Sequence, residues 1–223
     1  MFKLEKQSDL WENQQKICSY FNSDICIGID EAGRGALAGP VVAAAVCFDT
    51  IPNTLKVNDS KKLSPKKREI LYDSIVLSSA CWGIGICSCQ EIDRINVLQA
   101  TKLAMSRALD QCIVSMSSND KDALPSLVVI DGNISISVPS PLKSVAIVKG
   151  DTLIGAVAAA SILAKVARDR LMKKLDLQFP VYGFSQHKGY GTCQHRRSLV
   201  QFGASSQHRL SFNLGIKKKY DYS

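Results

Sequence analysis

The chain has 223 residues, 46% of them hydrophobic and 22% charged, with 28 Lys and Arg against 20 Asp and Glu for a net charge of +8. These are the proportions of a folded globular protein, and they exclude wholesale disorder; at this length one core can bury most of the apolar surface, and two full domains would be cramped. No run approaches the length of a membrane span, and the N-terminus turns charged at Lys3, Glu5 and Lys6, so a soluble, cytoplasmic chain without a signal peptide is expected.

In chain order, Leu10, Trp11, Ile17 and Phe21 predict a short helix within residues 1–21. In residues 25–30, Ile25, Ile27 and Ile29 alternate with Cys26, Gly28 and Asp30, the period of a strand that ends on an acid. Residues 41–48 read as a second strand. Ser64 and Pro65 are a cap and a first helical residue, opening a helix to about Ser78. A third strand covers residues 81–87, and the spacing of Ile95, Leu98, Leu103, Leu109 and Ile113 predicts one helix over residues 91–114. A polar loop follows over 117–126. Buried strands are then expected at 127–130, ending in Asp131, and at 145–148, leading to Asp151. From Thr152 a helix rich in small residues (Ala156, Ala158, Ala159, Ala160, Ala164) continues toward Leu177, and residues 192–202 form one more. Strand and helix alternate, so an α/β sheet covered by helices is the expected architecture.

The charge is unevenly placed. Residues 177–220 contain no acid but hold Lys188, Arg196, Arg197, Arg209 and Lys217 to Lys219, together with all three histidines, His187, His195 and His208. A region this one-sided suits a polyanion, since each neutralised phosphate releases counterions; by itself it is equally consistent with a solvated basic face. The eight cysteines sit mostly in apolar runs and read as reduced hydrophobes. Cys87 and Cys89 lack the second pair or neighbouring histidine of a zinc site. The histidines have no metal-triad spacing and read as packing or phosphate contacts.

Three apolar strands run into carboxylates: Asp30 with Glu31, then Asp131, then Asp151. Strand ends are where functional groups gather in α/β sheets. Four converging carboxylates would repel one another without cations, and hard oxygen donors select Mg²⁺ or Mn²⁺ over zinc. Two such ions are suited to phosphodiester hydrolysis. Any one of these acids alone could equally cap a turn. Gly33, Arg34 and Gly35 follow the first pair; flanking glycines let main-chain groups approach a sugar-phosphate chain while Arg34 supplies a cation, though a glycine-rich hairpin between two strands accounts for the same residues. Neither GxGxxG nor GxxxxGK occurs.

The run from Gly28 to Gly35, with Leu37 to Val42, resembles the signature of bacterial ribonuclease HII, the type 2 ribonuclease H. So do Asn58 to Leu63, Ile130 to Asn133, Lys149 to Asp151 leading into Ala158 to Asp169, Tyr182 to Phe184, His187 to Tyr190, and His208-Arg209 with Ser211-Phe212. The resemblance runs in order over about residues 25–212. It implies a ribonuclease H-like mixed five-stranded sheet flanked by helices, with a small C-terminal helical portion. Residues 1–179 would be the catalytic core with its N-terminal helix, and residues 180–223 a basic substrate-binding portion packed on it as one domain.

The resemblance further implies cleavage of the RNA strand of RNA-DNA hybrids, and incision of duplex DNA on the 5′ side of a single ribonucleotide to leave 3′-hydroxyl and 5′-phosphate ends. The family's metal-binding carboxylates fall on Asp30, Glu31, Asp131 and Asp151. Its glycine-arginine-glycine element, which senses the ribose 2′-hydroxyl, falls on Gly33, Arg34 and Gly35. Its sugar-packing tyrosine falls on Tyr190, and Ser60 and Lys61 match an element that contacts the substrate backbone. For Asp169 an ion pair with a neighbouring cation is expected. Arg34 in place of Lys, with no added domain before the first strand, argues against ribonuclease HIII. Leu210 stands where many relatives carry a second basic residue, which would weaken the grip on the backbone. A monomer is expected, with a replication clamp as a candidate partner. The rival readings are a non-catalytic nucleic-acid-binding module, disfavoured by the presence of all four acids, and a DNA-only divalent-metal nuclease of the same fold, disfavoured by the glycine-arginine-glycine element.

Overall fold

The computed structural model describes residues 9–52, 55–57, 60, 63–117 and 125–215. Its centre is a five-stranded sheet in the order β3-β2-β1-β4-β5, with β1 Cys26–Ala32, β2 Val41–Cys47, β3 Cys81–Cys87, β4 Leu127–Asp131 and β5 Lys143–Ile147. β2 pairs antiparallel with β1 and β3, whereas β1-β4 and β4-β5 are parallel. The helices are α1 Leu10–Tyr20, α2 Pro65–Ser78, α3 Cys89–Ser117, α4 Gly155–Gln178, α5 Phe184–His187 and α6 Cys193–Phe202.

Strand alternation sorts the core onto two faces. Ile27, Ile29, Ala43, Ala45 and Ile130 pack against α3 through Ala104, Met105 and Ala108. On the other face Cys26, Ala44, Val46 and Val129 meet α4 through Val157, Ala160 and Leu163, and α1 and α2 close over that helix with Trp11, Ile17, Leu71 and Ile75. The small residues of α4 let it lie almost on the sheet. At Gly28 a Cβ would collide with the α4 main chain at Ala156 and Val157, so any larger residue there would push the helix away and forfeit its buried contacts. Each fully buried Val, Ile or Leu side chain in that layer is worth roughly 1.5–3 kcal/mol of transfer free energy.

Several boundaries differ from the sequence reading. The helix expected at residues 91–114 begins at Cys89 and is broken at Asn96, which adopts φ 64° and ψ 163°. Asn96 Oδ1 accepts from the Leu98 and Gln99 amides at 3.0 and 3.1 Å, so it caps a second helix that hydrophobic spacing alone cannot separate from the first. The strand expected to be buried at 145–148 is instead the edge strand β5, mostly exposed, with Ile147 as its one buried residue. Asp151 stands past that strand, on a 3-10 turn over Gly150–Thr152 that precedes α4. The expectation for α2 holds at both ends, with Ser64 Oγ accepting from the Lys67 amide at 3.3 Å. All eight cysteines are free thiols, seven of them buried. No helix among the described residues is long and apolar enough to cross a membrane.

Candidate active site

The parallel register of β1 and β4 ends with Ile29 opposite Ile130, so the next residues, Asp30 and Asp131, emerge side by side at the same end of the sheet. Asp151 is brought there by the 3-10 turn, whose Asp151 amide faces Asp131 Oδ1 at 3.4 Å. Asp30 and Asp151 are buried, while Glu31 and Asp131 are partly exposed. The other three acids act on Asp30. Burial pushes the Asp30 carboxyl well above the usual carboxylate range, and the negative charges of Glu31, Asp131 and Asp151 push it further, against a lowering by the Glu31 amide. That amide donates to Asp30 Oδ1 at 2.7 Å.

These are hard oxygen donors, and their mutual repulsion is what a divalent cation relieves, so the residues suit Mg²⁺ or Mn²⁺ rather than a soft metal. As the side chains stand, no group of three or more His, Cys, Asp or Glu among the described residues closes on a single ion. The nearby cation is Arg34, whose Nη1 lies 3.8 Å from Glu31 Oε1 at an exposed position.

Residues 33–40 form the hairpin connection between β1 and β2. Gly33 is buried with φ 92°, and a Cβ there would run into the Arg168 side chain; glycine is required by backbone and neighbour alike. Arg34 and Gly35 are exposed. A Cβ on Gly35 meets nothing within 4 Å, so no demand of the fold explains its glycine.

Tyr190 is 40% exposed and stands beside the same loop. The amides of Leu37 and Ala38 donate to the Gly189 carbonyl at 2.8 and 3.3 Å, and the Arg168 guanidinium lies 5.5 Å from the Tyr190 ring centroid. The position of Tyr190 is fixed from below by histidines. His195 Nδ1 must donate to the Tyr190 carbonyl (3.0 Å), which leaves its Nε2 to accept from His208 Nε2 (3.0 Å); His208 Nδ1 then accepts from the Ser205 amide and hydroxyl, both at 2.9 Å. His187 donates from Nε2 to the Tyr182 carbonyl at 2.7 Å and accepts the Gly189 amide on Nδ1 at 3.2 Å, its ring stacked on His195. The three rings are neutral packing groups that convergence in space, not spacing in sequence, brings together.

Ser60 is 4% exposed, and its hydroxyl is hydrogen-bonded to Ser161 of α4 at 2.7 Å. Its carbonyl and that of Leu63 accept from Arg68. Ser60 thus anchors its loop; Lys61 lies outside the described residues. Asp169 pairs with Lys165 at 2.6 Å, the structural role expected of it. Arg209 corrects the charge reading: counted from the sequence among the cations facing a polyanion, it is fully buried. Arg168, with no charged role assigned from sequence, is buried alongside. The signal available was helical spacing: Arg168 follows Ala164 by four residues and Ser161 by seven, which puts it on the buried face of α4.

A solved structure of a PCNA:RNase HII complex from Archaeoglobus fulgidus superimposes with a TM-score of 0.68, at 26% identity over 88% of this chain and 98% of that one. The Bst-RNase HIII structure in complex with Mn²⁺ has the same fold, with a TM-score of 0.66 at 20% identity over 85% of this chain and 67% of that one. The mixed sheet and its flanking helices therefore define a ribonuclease H-like fold. The family model for ribonuclease HII matches residues 27–214, and Ribonuclease HII 1 of Methylibium petroleiphilum is 51% identical over 190 residues, 85% of this chain and 90% of its own. The chain belongs to the ribonuclease HII family, the type 2 ribonucleases H, and is an endoribonuclease acting on RNA-DNA.

Proposed function

We propose that the chain hydrolyses the RNA strand of RNA-DNA hybrids and incises duplex DNA on the 5′ side of a single embedded ribonucleotide, with 3′-hydroxyl and 5′-phosphate products. The observation that carries this reading is the gathering of Glu31, Asp131 and Asp151 around buried Asp30 at the foot of the Gly33-Arg34-Gly35 loop.

Asp30, Glu31, Asp131 and Asp151 are the residues that would hold two Mg²⁺ or Mn²⁺ ions, with Asp30 and Asp151 sharing or holding the metals and Glu31 and Asp131 completing the set. When bound, such a pair supplies a nucleophile derived from water and neutralises charge on the leaving oxygen. The chain's own groups do the rest. Asp30, raised by burial and by its acidic neighbours, reaches its ionised form when positive charge stands beside it. Arg34, exposed next to Glu31, meets a phosphate of the bound strand. The Gly35 main chain approaches the ribose where a side chain would obstruct it, and the half-exposed Tyr190 ring packs on the adjoining sugar. Ser60 and Lys61 are the candidates for contact with the substrate backbone, the Ser60 hydroxyl being held from within by Ser161. The A. fulgidus relative is a complex with PCNA, which supports a sliding clamp as a partner here also.

The test is incubation with Mg²⁺ and an end-labelled DNA duplex containing one ribonucleotide. Cleavage on its 5′ side, abolished by chelator, is expected. Cleavage of long hybrids alone, or binding without cutting, would overturn the reading.

A further inference from the structure

Two guanidinium groups, Arg168 and Arg209, are fully buried at 0% exposure, and neither is paired with a carboxylate among the described residues. Their hydrogen bonds go to main-chain carbonyls instead. Arg209 donates from Nε to Gly39 (3.0 Å), from Nη1 to Arg34 (2.9 Å), and from Nη2 to Gly33 and Gly39 (both 2.8 Å). Arg168 donates to Pro40 (2.9 Å), Ala38 (3.2 Å) and Lys188 (2.9 Å). All these acceptors but Lys188 belong to the loop between β1 and β2. Burial lowers the proton affinity of both, and the charge of Arg168 adds to the lowering at Arg209, which comes down to about 10 and so stays charged at neutral pH.

Taking two like charges out of water without a counter-ion is costly, and packing alone would be served as well by apolar side chains. What the arginines accomplish is orientation. Across a trans peptide the C=O and the next N–H point in opposite directions. With the Gly33 and Arg34 carbonyls drawn inward to Arg209, the amides of Arg34 and Gly35 are turned outward. Both residues are exposed, and neither amide has an acceptor among the described residues. The fork of a guanidinium is what spans both ends of the loop, Gly33 and Arg34 at one and Gly39 at the other; an ammonium is a single point and cannot.

We propose that Arg209, assisted by Arg168, is a positioning residue for ribose recognition, holding the Arg34 and Gly35 amides pointed at the nucleic acid before it binds. The proposal rests on the ribonucleotide-directed reading above. The same clamp ties that loop to Tyr190, because Arg168 also holds the Lys188 carbonyl and the loop amides hold Gly189.

The experiment compares Arg209→Lys, which retains the positive charge, with the unaltered protein. Dissociation constants are measured for a duplex with one ribonucleotide and for the identical all-DNA duplex, with Ca²⁺ in place of Mg²⁺. The preference for the ribonucleotide is expected to fall by about tenfold in a variant that still melts cooperatively. An unchanged preference, or equal weakening on both duplexes, would overturn the proposal, since a merely structural role lowers both alike. Arg168→Lys, which acts on the far end of the loop, serves if Arg209→Lys does not fold. Amide exchange in the unaltered protein gives an answer that needs no variant: Leu37, Ala38 and Gly39 are expected to be protected before any duplex is added. Free exchange there until a duplex binds would mean that substrate, not the arginines, orders the loop. If the unaltered protein fails to cut the one-ribonucleotide duplex in Mg²⁺, it is the functional reading that falls.

Discussion

His195 Nε2 and His208 Nε2 lie 3.0 Å apart with a single proton between them. Each ring is neutral, and a second proton would set two N–H groups against each other. Burial lowers the His208 imidazole to about 4, with the neighbouring His195 adding to the effect, and burial lowers His195 and His187 as well. The unfolded chain, titrating near 6.5, therefore takes up protons that the folded chain refuses. The stability these rings contribute is complete above pH about 6.5 and is lost as pH falls from there toward 4. Thermal melting between pH 8 and 4 should show the midpoint dropping by roughly 5 °C or more over the acid half of that range. His208→Gln, which offers a donor and an acceptor but cannot be charged, should start lower and fall less steeply.

Asp30→Asn should separate catalysis from stability. Cleavage of a hybrid is expected to fall at least ~100-fold, as for other losses of a metal ligand or a charge-stabilising group. Because the Asp30 carboxyl is raised well above its ordinary range, its ionised form destabilises the fold at neutral pH. The variant should therefore melt no lower than the unaltered protein in chelator. A lowered midpoint there would show that the carboxylate holds the fold together.

The two glycines around Arg34 should respond in opposite ways. Gly33→Ala forces a Cβ into Arg168 at a left-handed backbone position, and a loss of about 2–3 kcal/mol in stability is expected by urea titration. Gly35→Ala meets only open space, so stability should stay within ~0.5 kcal/mol while cleavage at a single ribonucleotide drops.

Tyr190 is held through its main chain, and its ring is half exposed. Tyr190→Ala is expected to keep the melting temperature within about 3 °C, yet to lose about tenfold in kcat/KM on the one-ribonucleotide duplex, toward the lower end of what aromatic stacking on a nucleotide contributes. Tyr190→Phe should keep most of the rate, since the ring rather than the hydroxyl does the packing.

Much of the fold was legible because β1 alternates, β2 and β4 are short apolar runs, and α2 carries its own cap and proline. The acids could be picked out at apolar strand ends, but their neighbourhood depends on the parallel pairing of β1 with β4, which no local pattern encodes. Asp151 was assigned to a strand end because the 3-10 turn before α4 has no periodicity of its own. The break at Asn96 was hidden since hydrophobic spacing continues on both sides of it. Arg209 lies furthest from what its sequence context implies. A cation's partners are usually sought among acids, and here they are carbonyl oxygens, which every residue has and no sequence pattern marks.

Helix α4 carries Ser161, which meets the Ser60 loop, and Arg168, which meets the Gly33 loop, seven residues further on. That is close to two full turns, or about 10 Å along the axis. The helix is thereby a ruler as well as a wall of the core, and its phase matters as much as its length. One inserted residue between those positions would rotate Arg168 by about 100° and leave its loop without a guanidinium, even if every apolar contact were rebuilt. Natural variation in chain length should accordingly be confined to the connections around α4 and excluded from that interval.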